Sequence, residues 1–276
     1  MAIISYVIYF VVGILAGIVG GLLGTGGCAL MMPVIRFGFH FEPVIAVGTT
    51  LTAVVFTAGA GAFQHIKMGN VHRETALLTG YSGVLGVIIG SVVFAFIKDY
   101  GNLIDLIIGI AFILVSLRML YEGLFVIPAR ARMETSGSEP GGEAAQVQPS
   151  GMPGTPLGKT ILGSVIGFTT GIIGLGGGYA LVPSYLYLFK APMKLAIGTS
   201  MASFIWMALV GSVFKLAEHV VDIPVAITLG IGAVIGALYG ARLVAKFKPA
   251  TLKILFGAMF LYVSLKYILI YFGIAI

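Results

Sequence analysis

One segment of this chain occurs twice, and that repeat narrows the fold more than any other feature. Gly20-Gly-Leu-Leu-Gly-Thr-Gly-Gly-Cys-Ala-Leu-Met-Met-Pro33 returns as Thr170-Gly-Ile-Ile-Gly-Leu-Gly-Gly-Gly-Tyr-Ala-Leu-Val-Pro183. A constant shift of 150 positions places Gly24 on Gly174, Pro33 on Pro183, Gly48-Thr49 on Gly198-Thr199, and Gly90 on Gly240 without a gap. Beyond about position 100 the shift becomes 148, pairing Gly109 with Gly257 and Ser116 with Ser264. The sequence therefore divides into a first repeat over 1–128, a linker over 129–157 and a second repeat over 158–276. The linker is polar and rich in Pro, Gly and Ser, the composition of a flexible joint.

The solvent around these repeats follows from composition. Hydrophobic residues make up 59% of the chain and charged residues 9%, and the mean hydropathy is +1.08, which no water-facing surface supports. The chain is expected to be an all-α polytopic membrane protein. No charged side chain precedes Arg36, so the N-terminus lacks the basic region of a secretory signal and is expected to stay in the fold. The single cysteine, Cys28, excludes an intrachain disulfide and a cysteine-built zinc site, and no cofactor or metal is expected. A net charge of +6 carried at the ends of apolar segments sets orientation and does not point to nucleic acid.

Uninterrupted apolar stretches run at about 44–64, 75–97, 103–124, 195–214, 223–245 and 252–275, each able to cross a ~30 Å hydrocarbon core. Two further elements, about 2–37 and 160–189, are broken by the glycine runs. If each broken element crosses the membrane, the cations divide 8 to 7 between the two sides. If each is re-entrant, the halves are inverted, and 12 cations from Lys67 to Lys253 face only Arg36, Lys98 and Lys215. The second arrangement obeys the positive-inside rule, which gives inverted repeats of three crossings and one re-entrant helix, in the cell membrane, with a cytoplasmic linker. The length of residues 2–22 is its weak point, since ~1.5 Å per residue would let that arm span.

Backbone that leaves helical geometry inside a bilayer must be satisfied by protein or by a lined cavity. In Gly24-Thr25-Gly26-Gly27 and Gly174-Leu175-Gly176-Gly177-Gly178 the chain turns and starts a new helix, whose N-terminus presents unpaired N–H groups and a positive dipole end. Two such ends near the midplane would bind an anion without a buried cation. The candidate main-chain donors are Gly24, Thr25, Gly26, Gly27, Gly174, Gly176, Gly177 and Gly178; the hydroxyls of Thr49, Thr50, Thr199 and Ser200 are candidate side-chain donors. Gly232, Gly236 and Gly240, at helical spacing, read instead as packing contacts. The carboxylates Asp99, Asp105, Glu122 and Glu218, and His65, lie near segment ends and read as solvated or interfacial, leaving no clear proton carrier.

With its Gly-rich run, following proline and Ala-Val/Ile-Gly-Thr element in both halves, the chain resembles the TauE/SafE family of membrane permeases, also called sulfite exporters. The resemblance covers nearly everything outside the linker. It implies transport, often outward, of small sulfur-containing anions such as sulfite, sulfonates or sulfoacetate. Cys28 stands where a third glycine is the pattern, and Thr50 where a serine is, differences that bear on selectivity. An anion channel and a proton-coupled uptake permease for an organic anion stay open as alternatives, as does a homo-oligomer. Enzyme chemistry is not expected, because neither a Gly-x-Ser-x-Gly elbow nor a His-Glu-x-x-His helix is present.

Overall fold

The computed structural model describes residues 2–126 and 152–272, so most of the linker, 129–151, lies outside the described residues. The first part contains α1 (Ala2–Leu23), α2 (Cys28–Pro33, extended by a π-turn Val34–Gly38), α3 (Pro43–Lys67), α4 (Arg73–Ile97) and α5 (Gly101–Tyr121). The second contains α6 (Pro156–Ile173), α7 (Gly178–Tyr187), α8 (Met193–Ala217), α9 (Ile223–Leu243) and α10 (Pro249–Tyr271). No strand occurs among the described residues. Among the described residues seven helices, α1, α3, α4, α6, α8, α9 and α10, are apolar and long enough to cross a membrane. Their outward residues, Phe63, Leu85, Val213 and Tyr239 among them, are large and exposed, as lipid-facing positions require.

Helix starts are local. Pro43 and Pro156 open α3 and α6, where a missing N–H costs nothing. Thr155 Oγ1 accepts from Gly158 N at 3.2 Å, His72 Nδ1 from Thr75 N at 3.2 Å, and Asp222 Oδ1 from Val225 N at 3.1 Å, capping α6, α4 and α9.

The repeats interlock. α1 packs most extensively on α9 of the other repeat, and α6 on α4. Small residues make this possible: a Cβ on Gly13, Gly17 or Gly21 would overlap the backbone of Leu229, Ala233 or Ala237, while Gly232, Gly236 and Gly240 face the carbonyls of Phe10, Ile14 and Ile18. The α6–α4 seam repeats the pattern, with Gly163, Gly167 and Gly171 against Thr79, Gly83 and Val87. Without a hydrophobic driving force between helices in lipid, such close backbone approach is what holds them.

The same contacts fix directions. Numbers rise together along α1 and α9 and along α6 and α4, so these pairs are parallel. α3 and α8, which are repeat equivalents, cross antiparallel: Gly61 meets Met201, and Gly211 meets Leu51. After each glycine break the chain doubles back. Phe39, beyond α2, packs against Tyr9 of α1 with ring centroids 4.4 Å apart, and Phe189, beyond α7, lies against Gly154 just before α6. Each broken element is thus a helical hairpin with a long outgoing arm and a short returning one.

Candidate functional site

Both glycine breaks are buried and built alike. Gly24, Gly26 and Gly27 have φ of 76°, 71° and 78°; Gly174, Gly176 and Gly177 have 72°, 71° and 72°. Left-handed backbone at three positions in four residues is tolerated only by glycine, so the repeated sequence encodes one repeated turn. α2 and α7 start directly from these turns, with Gly27 and Gly177 as their left-handed N-caps and no side-chain cap on either. In each, the cap carbonyl already accepts from the third and fourth amides onward, Leu30 and Met31 to Gly27 O, and Ala180 and Leu181 to Gly177 O. Three expected donors are already engaged, Gly24 N to Gly20 O, Gly174 N to Thr170 O and Gly178 N to Gly176 O, each at 2.8 Å, whereas the amides of Gly26, Gly176 and Gly177 have no such main-chain acceptor.

The tertiary structure brings the two turns together. Gly178 abuts the other break, where an added Cβ would lie 2.5 Å from Gly24 O and 2.8 Å from Thr25 Cα. Gly26 and Gly176 both pack on Val54 and Phe204, which occupy equivalent places near the middle of α3 and α8. Thr25 is fully buried and its Oγ1 lies 3.4 Å from Gly27 N. Ser200 Oγ is 2.9 Å from Gly24 O and 2.8 Å from Ile197 O, so that hydroxyl currently closes the first turn. Its counterpart Thr50 is fully buried with no partner for its hydroxyl. The side chains bounding the turns, Val47, Val54, Ile197, Ser200 and Phe204, carry no charge. Main-chain dipoles therefore set the potential there.

Thr49 and Thr199 are placed elsewhere. Thr49 Oγ1 accepts from Asp222 N and Thr199 Oγ1 from His72 N, both at 2.9 Å, so each grips the connecting loop of the opposite pair of helices. The adjacent Gly48 and Gly198 let Val220 O and Asn70 O approach the helix backbone. The repeated Gly-Thr element thus braces loops at the ends of α8 and α3. Thr49→Ala and Thr199→Ala are expected to lower stability by about 1 kcal/mol each, the usual worth of a hydrogen bond. Thermal melts in detergent should show the loss, while anion affinity stays within about twofold, the limit of an effect well under 1 kcal/mol.

Several charged groups sit where sequence reading did not put them. Asp105 is fully buried, with Oδ2 3.0 Å from Arg36 Nη2, and is not solvated. His65 is buried with Nε2 3.1 Å from Gly21 O, not interfacial. Lys215, expected at an outer loop, is fully buried within α8. Each lies near a segment end in sequence, and only tertiary packing shows that the end is covered. Tyr179, next to the second break, is buried, its OH donating to Thr169 Oγ1 at 3.0 Å and its ring set edge-on to Phe112. The equivalent position in the first repeat is Ala29, and there a cavity of about 250 Å³ opens between α2 and α10, bounded also by Phe37, Tyr262 and Lys266.

Residues 9–267 match the sequence model of the sulfite exporter TauE/SafE family. The chain belongs to that family. Among TauE/SafE-related proteins it is 29% identical to the probable membrane transporter protein YunE of Bacillus subtilis, over 98% of this chain and 99% of the relative. It is 27% identical to a probable membrane transporter protein of Xylella fastidiosa, covering 91% and 89% of the two chains. A probable membrane transporter protein of Methanocaldococcus jannaschii is 25% identical, over 90% of each. No solved structure matches. The protein is thus a multi-pass membrane transporter of the TauE/SafE type.

Proposed function

We propose that the protein exports a small sulfur-containing oxyanion, such as sulfite, a sulfonate or sulfoacetate, by alternating access around the paired glycine turns. One observation carries this reading: two helix N-termini, opened by matching left-handed turns, meet at Gly178 and Gly24–Thr25 with no charged side chain on the bounding residues. Oxyanions suit such a site because several amides can converge on several oxygens. Within it the amides of Thr25, Gly26, Gly27, Gly176 and Gly177 are the donors, helped by the hydroxyls of Thr25, Thr50 and Ser200 once Ser200 releases Gly24 O.

The membrane orientation in this proposal is an inverted pair, with the linker cytoplasmic in the cell membrane. It is supported by the antiparallel run of α3 and α8 and by the hairpin form of both broken elements. Among the described residues, the ion pairs Arg36–Asp105, Lys98–Glu218 and Lys159–Glu74 each join residues that this orientation puts on one side. With Lys215 withdrawn into α8, only Arg36 and Lys98 remain opposite the twelve cytoplasmic cations. Outward movement of one anion from a negative interior is favourable by ~2.3 kcal/mol per 100 mV, so export needs no coupling ion.

Purified protein in liposomes loaded with labelled sulfite should release it faster when the interior is negative and show counterflow against unlabelled sulfite. Large unitary currents without counterflow would replace the transporter reading with a channel. Flux that appears only with a proton gradient would overturn uncoupled export.

A further inference from the structure

The three packed helices α6, α4 and α8 hold a row of buried polar groups whose repeat-equivalent positions on α1, α9 and α3 do not match it. Thr170 Oγ1 on α6, Ser91 Oγ on α4 and Lys215 Nζ on α8 are all buried, and none has a hydrogen-bond partner. Their repeat equivalents are Gly20, Ala241 and His65, and His65 already has Gly21 O at 3.1 Å. The three groups follow one another outward from the second glycine turn. Thr170 borders the turn, its Oγ1 3.1 Å from where a Cβ on Gly177 would stand. Gly171 packs on the main chain of Ser91, and Phe94 lies one helical turn beyond Ser91. Lys215 Nζ sits 2.8 Å from the Phe94 ring centroid.

Hydroxyls in apolar helices ordinarily donate back to a carbonyl of the preceding turn. Thr79, Ser82, Thr52, Thr160 and Thr228 do so here, whereas Ser91 and Thr170 do not. Of the other unpartnered hydroxyls, Thr50 and Thr57 lie on α3 and Tyr267 on α10, while Thr75 lies near the opposite end of α4, away from the lysine's end. A buried ammonium without an acceptor is strongly disfavoured unless a counter-ion completes it, and the ring face of Phe94 supplies only part of that need. The charged groups facing Lys215 are Glu218, one turn along α8, and Lys98 at the end of α4. Glu218 Oε2 lies 4.0 Å from Lys98 Nζ. Two ammonium groups and one carboxylate leave one positive charge uncompensated.

We propose that Thr170, Ser91 and Lys215 form a relay site where a small monovalent oxyanion rests between the glycine turns and the face bearing Lys98. This rests on the proposed function and adds a second stopping place for the same substrate. A site of this kind lets the anion leave the dipole-lined centre without crossing apolar side chains, because hydroxyl donors lead it to a fixed cation. Its absence from the equivalent helices α1, α9 and α3, where Gly20, Ala241 and His65 stand, makes the two halves of the route unequal.

Labelled sulfite counterflow in proteoliposomes tests it. Lys215→Met should raise KM about tenfold or more, and Lys215→Arg should stay within about threefold, since a charge-assisted contact is lost only in the first. Folding of Lys215→Met is checked by size-exclusion profile; Glu218 keeps Lys98 beside it, so the change strands no carboxylate. Ser91→Ala combined with Thr170→Val, which leaves the lysine in place, should raise KM about threefold or more. If both Lys215→Met and the double variant match the unmodified KM, the relay is wrong while the transporter reading stands. If the unmodified protein moves neither sulfite, sulfoacetate nor chloride, the anion reading fails and the relay with it.

Discussion

Gly26→Leu and Gly178→Val should each abolish anion flux while leaving an inserted, monodisperse protein. At Gly26, φ is +71° and a Cβ would fall 2.6 Å from Phe204 Cζ and 2.9 Å from Val54 Cγ1. Left-handed backbone costs a non-glycine residue about 1–2 kcal/mol, and the overlap with a ring and a β-branched side chain pushes the turn out of shape. At Gly178 the obstruction is backbone, Gly24 O at 2.5 Å and Thr25 Cα at 2.8 Å, so no rotamer change relieves it and the two helix ends must separate. In the proposed site, amides moved by about 1 Å would no longer converge on one oxyanion, and misplacement of that size costs on the order of a hundredfold. Initial rates in proteoliposomes should therefore fall at least about a hundredfold. Gly69→Ala is the matched control: φ there is +72°, yet nothing lies within 4 Å of the added Cβ, so strain is introduced without obstruction. Its flux should be near normal. Equal losses at Gly69 and Gly26 would mean that backbone strain, and not the turn's shape, limits transport.

The second large effect concerns stability. Arg36 lies just past α2 and reaches Asp105 on α5 with Nη2 at 3.0 Å, while its Nη1 donates to Phe41 O at 3.0 Å. Asp105 is fully buried, and its other oxygen has no hydrogen-bond partner, so removing the guanidinium strands a carboxylate in an apolar setting. Breaking one side of a buried pair costs about 3–5 kcal/mol, whereas replacing both by apolar residues is often neutral. Arg36→Met and Asp105→Ala should each lower Tm in detergent by on the order of 10 °C. The double variant Arg36→Met with Asp105→Leu should recover most of that loss. Since the pair ties the returning arm α2 to α5, flux in the single variants should fall with stability and return in the double. A double variant as unstable as the singles would show that the pair contributes more than mutual neutralisation.

The linear chain carried a large share of this. Constant register between the two glycine runs located equivalent turns, and the matching φ values at Gly24, Gly26 and Gly27 and at Gly174, Gly176 and Gly177 follow from that identity of sequence. The uninterrupted stretches became α3, α4, α5, α8, α9 and α10 within a few residues of their expected ends. The spaced glycines Gly232, Gly236 and Gly240 are contacts between helices, as their spacing indicates. Membrane segments are legible in this way because hydrocarbon forces every backbone group into an internal hydrogen bond, which makes a long apolar stretch a helix and a glycine run a break.

Partner choice among those helices belonged to the tertiary structure. α1 lies on α9 and α6 on α4, each across the repeat boundary, and no local pattern announces that exchange. The Gly-Thr element looked like part of the substrate site, yet Thr49 and Thr199 accept from Asp222 N and His72 N on distant loops. Lys215, Asp105 and His65 sit close to segment ends and are fully covered, which the chain could not show. The physical reason is common to all three cases. In a bilayer, lipid and protein interior are equally apolar, so hydropathy fixes that a segment is a helix without telling which face meets lipid and which meets protein. Sequence alone determined the class, the repeat and the turns; packing decided which turns meet and which polar groups are sealed beside them.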